Sequence, residues 1–155
     1  MDNEQIKAVL SRSKFFESLD SQDIDKICPL CKPRSYQTGE YLFQQGDFGE
    51  NLFIIADGQA FLERTVDLDT RRGRVTIDTF GKGRLLGCWS TLLGEPHTLM
   101  SSAVCAQPTR VLAIRGPDLR NLMLSDEHLG FRLMEKFCYL LRERIQAAYG
   151  AMEKI

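Results

Sequence analysis

Gly39-Glu-Tyr-Leu-Phe-Gln-Gln-Gly-Asp-Phe-Gly-Glu-Asn-Leu-Phe-Ile-Ile-Ala-Asp-Gly58 decides the architecture of this chain. The stretch holds two short apolar runs, Tyr41–Gln44 and Asn51–Ala56, punctuated by Gly46, Gly49 and Gly58. Apolar runs this short, bounded by residues that take positive φ without a steric penalty, form strands and turns rather than helices.

Working outward, the same pattern extends from Tyr36 to Ile114. It predicts further strands at Gln59–Thr65, Arg74–Phe80, Arg84–Gly87, Met100–Ala106 and Thr109–Ile114, with Gly73, Gly81 and Gly83 between or beside them. Many short strands with frequent turns describe an antiparallel β-roll or jelly roll. Before it, residues 1–35 read as helical, with Ile6, Val9 and Leu10 at helix spacing and Ser21 as the cap of a second helix carrying Ile24 and Ile27. Pro29 makes Cys28 the last helical residue expected there. After the roll, residues 116–155 return to helix pattern. Pro117 suits the first helical position, and Ser125 suits a second cap. The last segment carries Met134, Phe137, Leu141, Ile145, Ala148 and Met152 close to a/d spacing, the pattern of a dimer seam. The expected fold class is therefore mainly β with flanking α: a roll over residues 36–115, N-terminal helices and two C-terminal helices.

The 155 residues suit a single domain, 1–155. Twenty Lys and Arg against 21 Asp and Glu leave a net charge of -1, with no electrostatic footprint for direct nucleic-acid binding. The first residues are polar and acidic and no apolar run approaches a membrane span, so the expectation is a cytoplasmic chain without membrane contact. Five cysteines in a chain of ordinary core composition argue for reduced thiols. Cys28-Pro-Leu-Cys31 closes a helix instead of opening one after a strand, and Ile24, Ile27, Cys28 and Cys31 share one helical face, so both thiols read as core. The basic run Arg71-Arg72-Gly73-Arg74 reads as a solvated hairpin turn. Neither His97 nor His128 stands near a nucleophile motif, which leaves enzymatic activity without sequence support.

Several of these pieces occur together in one known family. Phe15-Phe16-Glu-Ser-Leu19, Gly39-Glu40, Gln45-Gly46-Asp47, Leu52 to Gly58, Gly81-Lys-Gly83, Leu86-Gly87 and Thr109-Arg-Val-Leu-Ala-Ile114 stand in the order of a cyclic-nucleotide-binding domain. The chain thus resembles the sensor half of the cyclic-AMP receptor and fumarate-nitrate regulators over nearly its whole length. The resemblance implies a phosphate-binding cassette after Gly87. There a Glu directly after the glycine holds the ribose hydroxyl, a short helix offers N–H groups, and an Arg pairs with the cyclic phosphate. It also implies regulation without catalysis. The helix-turn-helix that the family's regulators append is not found between the long helix and Ile155.

Both reading positions depart from that pattern. Cys88 follows Gly87, and the arginine position falls on His97 or Met100, depending on the direction of alignment. A thiol cannot accept ribose hydroxyls as a carboxylate does. The candidate ligand-binding set is Gly87, Cys88, Trp89, Ser90, Thr91, His97, Ser101 and Ser102, with Trp89 to Leu93 as the short helix and Trp89 as a stacking surface. Trp89, Leu92 and Leu93 equally suit a hydrophobic plug of the roll. The expected ligand is a cyclic nucleotide or another small anion, and the expected partners are a second copy through the C-terminal helix and a downstream protein. A ligand-free dimerisation scaffold and a thiol or metal redox sensor stand as alternatives.

Overall fold

The computed structural model describes residues 1–154. α1 (Asn3–Arg12) starts in a capping box, with Gln5 N donating to the Asp2 carboxylate at 2.8 Å and Asp2 N donating to Gln5 Oε1 at 2.9 Å. α2 (Ser21–Ile27) is capped by Asp20 rather than by Ser21. The Asp20 carboxylate takes Asp23 N at 2.9 Å, and Ser21 is already helical. α2 ends at Ile27, one residue short of expectation, and Cys28–Leu30 tightens into a 3₁₀ turn around Pro29.

The helical zone also stops earlier than residue 35. Cys31–Tyr36 is a strand, β1, paired antiparallel in register from Cys31↔Ile114 to Tyr36↔Thr109. It forms the edge of its sheet, which is why it tolerates Pro33 and carries four consecutive exposed residues, Lys32 to Ser35. An edge strand of this composition has no alternating signature to read.

The remaining elements are β2 (Tyr41–Phe43), β3 (Asn51–Asp57), β4 (Ala60–Asp67), β5 (Arg72–Phe80), β6 (Leu85–Leu86), α3 (Trp89–Leu92), β7 (Ser102–Cys105), β8 (Thr109–Arg115), α4 (Gly116–Ser125) and α5 (Glu127–Met152). Two four-stranded antiparallel sheets result, ordered β1-β8-β3-β6 and β2-β7-β4-β5. The roll expected from the glycine pattern is the observed fold. The hairpin of β4 and β5 pairs as far as Asp67↔Arg72, so the basic run extends the strands, and its arginines are exposed beside Asp67 and Glu63.

β3 divides the interior in two. Leu52 and Ile54 face the helices with Leu85, Leu112, Ile114 and the apolar side of α5, while Phe53 and Ile55 face the second sheet with Leu62, Phe80, Leu86 and Val111. A strand covered on both faces needs a continuous apolar run, which Leu52-Phe-Ile-Ile-Ala56 supplies.

α5 is capped by Asp126, whose carboxylate takes Leu129 N at 3.2 Å. The Ser125 hydroxyl instead donates back to Leu122 O, so the expected Ser125 cap is replaced by its neighbour. Phe137 is buried against Phe15, with ring centroids 4.7 Å apart, and cannot belong to an outer seam. The apolar stripe on that side of α5 runs instead through Met134, the exposed Cys138, Leu141, Ile145, Ala148 and Met152 at alternating four- and three-residue steps. Among the described residues no helix is long and apolar enough to cross a membrane.

Ile54→Ala, which empties the helix side of β3, should cost about 2–5 kcal/mol in urea unfolding. A loss below about 1 kcal/mol would show that β3 does not tie the two cores together.

Candidate functional site

Gly87 turns the chain from β6 into α3. Its φ is +81°, and a Cβ there would stand 2.4 Å from Asn51 O, so only glycine fits. Immediately beyond it, the N–H groups of Ser90, Thr91 and Leu92 are already engaged. Ser90 N donates to Gly87 O at 3.3 Å, and Thr91 N and Leu92 N both donate to Cys88 O at 3.1 Å. The Ser90 hydroxyl donates to Gly87 O at 2.8 Å. Thr91 is fully buried, with Oγ1 lacking a protein partner.

α3 is locked to α4 from its other side. A Cβ on Gly116 would lie 2.1 Å from Ser90 O, and Arg120 Nη1 donates to Leu92 O at 2.9 Å and Thr91 O at 3.3 Å. The start of α4 therefore rests directly on the cassette helix.

Cys88 is buried in the helix-side core, close to the guanidinium of Arg144 on α5. Burial pushes its thiol up to about 11, against the opposing pull of Arg144 and of the N–H groups of Cys88 and Trp89. Trp89 is half-buried and Leu92 packs on the helix-side core, whereas Leu93 is exposed and plugs nothing. His97 stacks on Gly49, where a Cβ would lie 2.4 Å from its Nε2, and that nitrogen is buried without a partner.

His97 and Ser90 open together on a cleft of about 490 Å³ that also takes in Glu50, Arg115 and Arg120. Its arginines already have partners: Arg115 pairs with Asp118 at 2.9 Å and with Glu50 of the same cleft at 3.6 Å, and Arg120 holds the α3 carbonyls. Ser101 and Ser102 meet different neighbours. The Ser102 hydroxyl accepts Gln45 N at 2.8 Å, its backbone pairs with Glu63, and Arg64 donates to Met100 O. The structure thus strings Gly87 to Thr91 along one turn and helix, joins Ser90 to His97 in an outer cleft, sets Ser102 against β4 and Gln45, and leaves Ser101 outside that cleft.

Two residues of this region were not singled out from sequence, Arg120 and Arg144. Arg144 follows Leu133, Phe137 and Leu140 at core spacing on α5, and a cation on that face is the signal that could have found it. The Cys28 and Cys31 thiols are free and buried, with Cys31 Sγ 3.6 Å from Ile27 O. No group of three or more His, Cys, Asp or Glu among the described residues is arranged for a metal.

This architecture, a two-sheet roll closed by helices around a glycine-led cassette, defines a class of regulatory domain. Residues 33–126 match the model of the cyclic nucleotide-binding domain, and the chain belongs to that family. It is 31% identical over 102 residues to the cyclic AMP receptor protein of Thermus thermophilus, covering 66% of this chain and 45% of that protein. It is 26% identical over 87 residues to the cGMP-dependent protein kinase egl-4 of Caenorhabditis elegans, covering 54% of this chain and 11% of the kinase. It therefore spans less than half the length of either relative. Among solved structures, a cyclic nucleotide-binding domain from Methylobacillus flagellatus superposes with TM-score 0.79 at 21% identity, over 99% of this chain and 84% of that one. The catabolite activator protein of Thermus thermophilus superposes with TM-score 0.70 at 28% identity, over 91% and 62%.

The thiols give a direct check on the buried cassette. Burial raises Cys31 to about 12 and Cys88 to about 11 from the ordinary 9.0. The folded state therefore keeps protons that the unfolded chain releases, so stability is intact below about pH 9 and falls as pH rises toward 11 and 12. At pH 8, iodoacetamide with mass-spectrometric mapping should modify Cys138 rapidly and spare Cys31 and Cys88 until denaturant is added. Rapid native labelling of Cys88 would contradict its burial.

Proposed function

We propose that this chain is a non-enzymatic sensor domain that retains the family's roll and closing helices but does not read cyclic AMP in the family's usual way. Its ligand under this reading is another small anion. The observation that supports it most is the state of the cassette. Cys88 stands where the resemblance calls for a carboxylate, and the arginine position falls on either His97 or Met100. His97 lies against Gly49 in an outer cleft, Met100 is largely exposed, and the N–H groups of Ser90, Thr91 and Leu92 are spent on Gly87 and Cys88 carbonyls. Losing a charge-assisted pair to a phosphate weakens binding by about a hundredfold.

The relay follows from the packing of α3 on α4. A ligand that moves α3 must move the Gly116 backbone and the Arg120 anchor, and so shift the population of closing-helix positions. α5 carries that shift outward. Its face from Met134 through Cys138, Leu141, Ile145 and Ala148 to Met152 has the knobs-into-holes spacing of a two-helix seam about 27 Å long. Dimerisation through this face, with a downstream protein reading its geometry, completes the proposal. A ligand-free scaffold is the second reading, and the filled space between the sheets around Phe53, Leu62, Phe80 and Leu86 favours it.

Calorimetric titration separates these readings from the family's usual one. Cyclic AMP and cyclic GMP at millimolar concentration should give no saturable heat, and saturation in the micromolar range would overturn the proposal. In sedimentation at high micromolar concentration the wild type should run as a dimer and Ile145→Glu as a monomer. A monomeric wild type would remove the seam.

A further inference from the structure

A second site lies outside the cassette, where α5 crosses the turn between β5 and β6. A cleft of about 330 Å³ opens there, walled by the N-terminal loop at Lys14 and Phe15, by Gly83 to Leu85 and by α5 from Lys136 to Glu143. Its rim carries four cations, Lys14, Arg84, Lys136 and Arg142, against the single carboxylate of Glu143. The ion pairs they make are long: Lys14 to Glu143 at 3.9 Å and Arg84 to Asp78 at 4.0 Å. Lys136 and Arg142 pair with no carboxylate among the described residues. Four like charges facing one small cleft repel each other, and an anion removes that repulsion.

Next to the cleft, but outside its lining, stands Arg144, the same guanidinium that lies near Cys88. Arg144 lies over the Phe80 ring at 4.1 Å, and Arg84 lies over the same ring at 5.0 Å. One nitrogen of Arg144 donates to Leu85 O, the carbonyl of a cleft-wall residue. Its Nη1 is buried with no partner in the protein. An unpaired buried guanidinium nitrogen carries an uncompensated desolvation cost. Burial pushes this group down and the neighbouring Arg84 adds to it, against the opposing pull of Cys88, Asp78 and Glu143.

The floor of the cleft is apolar. Phe15, Leu85 and Leu140 line it, and the half-exposed Tyr139 ring has the Arg142 guanidinium 5.2 Å from its centroid. The volume is at the lower end of small-molecule sites. A cationic rim over an aromatic floor suits a ligand with a doubly charged phosphate at one end and a flat ring at the other. We infer that this cleft binds a small phosphorylated molecule bearing a planar ring, held by Arg84, Lys136 and Arg142. Because its walls belong to α5, the N-terminal loop and the β5–β6 turn, occupancy clamps the long helix to the roll.

Phenyl phosphate is the probe, with inorganic phosphate and phenol as its two halves, followed by calorimetry and amide chemical-shift mapping. Phenyl phosphate should saturate one site, shift the amides of Gly83 to Leu85 and of Lys136 to Glu143, and bind more tightly than either half. Lys136→Glu and Arg142→Ala, both outside the core, should each weaken it about tenfold or more. Lys32→Glu on the edge strand should leave it unchanged. The two rim variants decide the matter. Absence of saturation, shifts confined to other residues, equal affinity for inorganic phosphate, or equal weakening by Lys32→Glu would overturn the inference.

Discussion

The burial of β3 on both faces is the constraint on which the rest of the molecule depends. Leu52 and Ile54 belong to the helix-side core and Phe53 and Ile55 to the core between the sheets, so neither half closes without the other. Apolar burial at about 25 cal/mol per Å² makes such a strand the main energetic tie in a domain of this size. The same strand fixes the start of the cassette, because Asn51 O sits where a Cβ on residue 87 would have to go. The position and direction of α3 are thus set by core packing. The side chains mounted on α3 are free of that requirement.

That division lets the frame stay fixed whatever side chains α3 carries. Gly87 and Gly116 are held by backbone contacts of 2.4 and 2.1 Å to any added Cβ, and substituting either would displace main chain. No such contact governs the identity of residue 88. Cys88 fits as a small buried group beside Arg144, and a carboxylate there would have to meet that guanidinium across the helix-side core. The same Arg144 guanidinium reaches Phe80 and Leu85, where α5 passes over the roll.

Much of the frame was legible in the residues. Short apolar runs between glycines gave seven of the eight strands, because positive-φ turns at Gly39, Gly46, Gly58, Gly83 and Gly87 leave a local mark. β1 was not legible. An edge strand with Pro33 and exposed neighbours lacks periodicity, and only its pairing with β8 defines it. Caps were legible to within one residue, with Asp20 and Asp126 preferred over adjacent serines because a carboxylate also favours the positive end of a helix. Phe137 was assigned to the outer stripe because i+3 and i+4 neighbours look alike in sequence, and only the Phe15 contact separates them. The candidate site was legible as a segment but not as a geometry. That Ser90 and His97 share a cleft, while Ser102 turns to Gln45, follows from tertiary packing with no local signature.

Under the proposed function, the frame persists without the usual cyclic-AMP reader. Hydrogen–deuterium exchange across residues 87–106, with and without millimolar cyclic AMP, tests it at the segment concerned. Superimposable exchange curves are expected there. Slowed exchange in Gly87 to Leu92 together with Met100 to Ser102 would place the nucleotide in the cassette and contradict it.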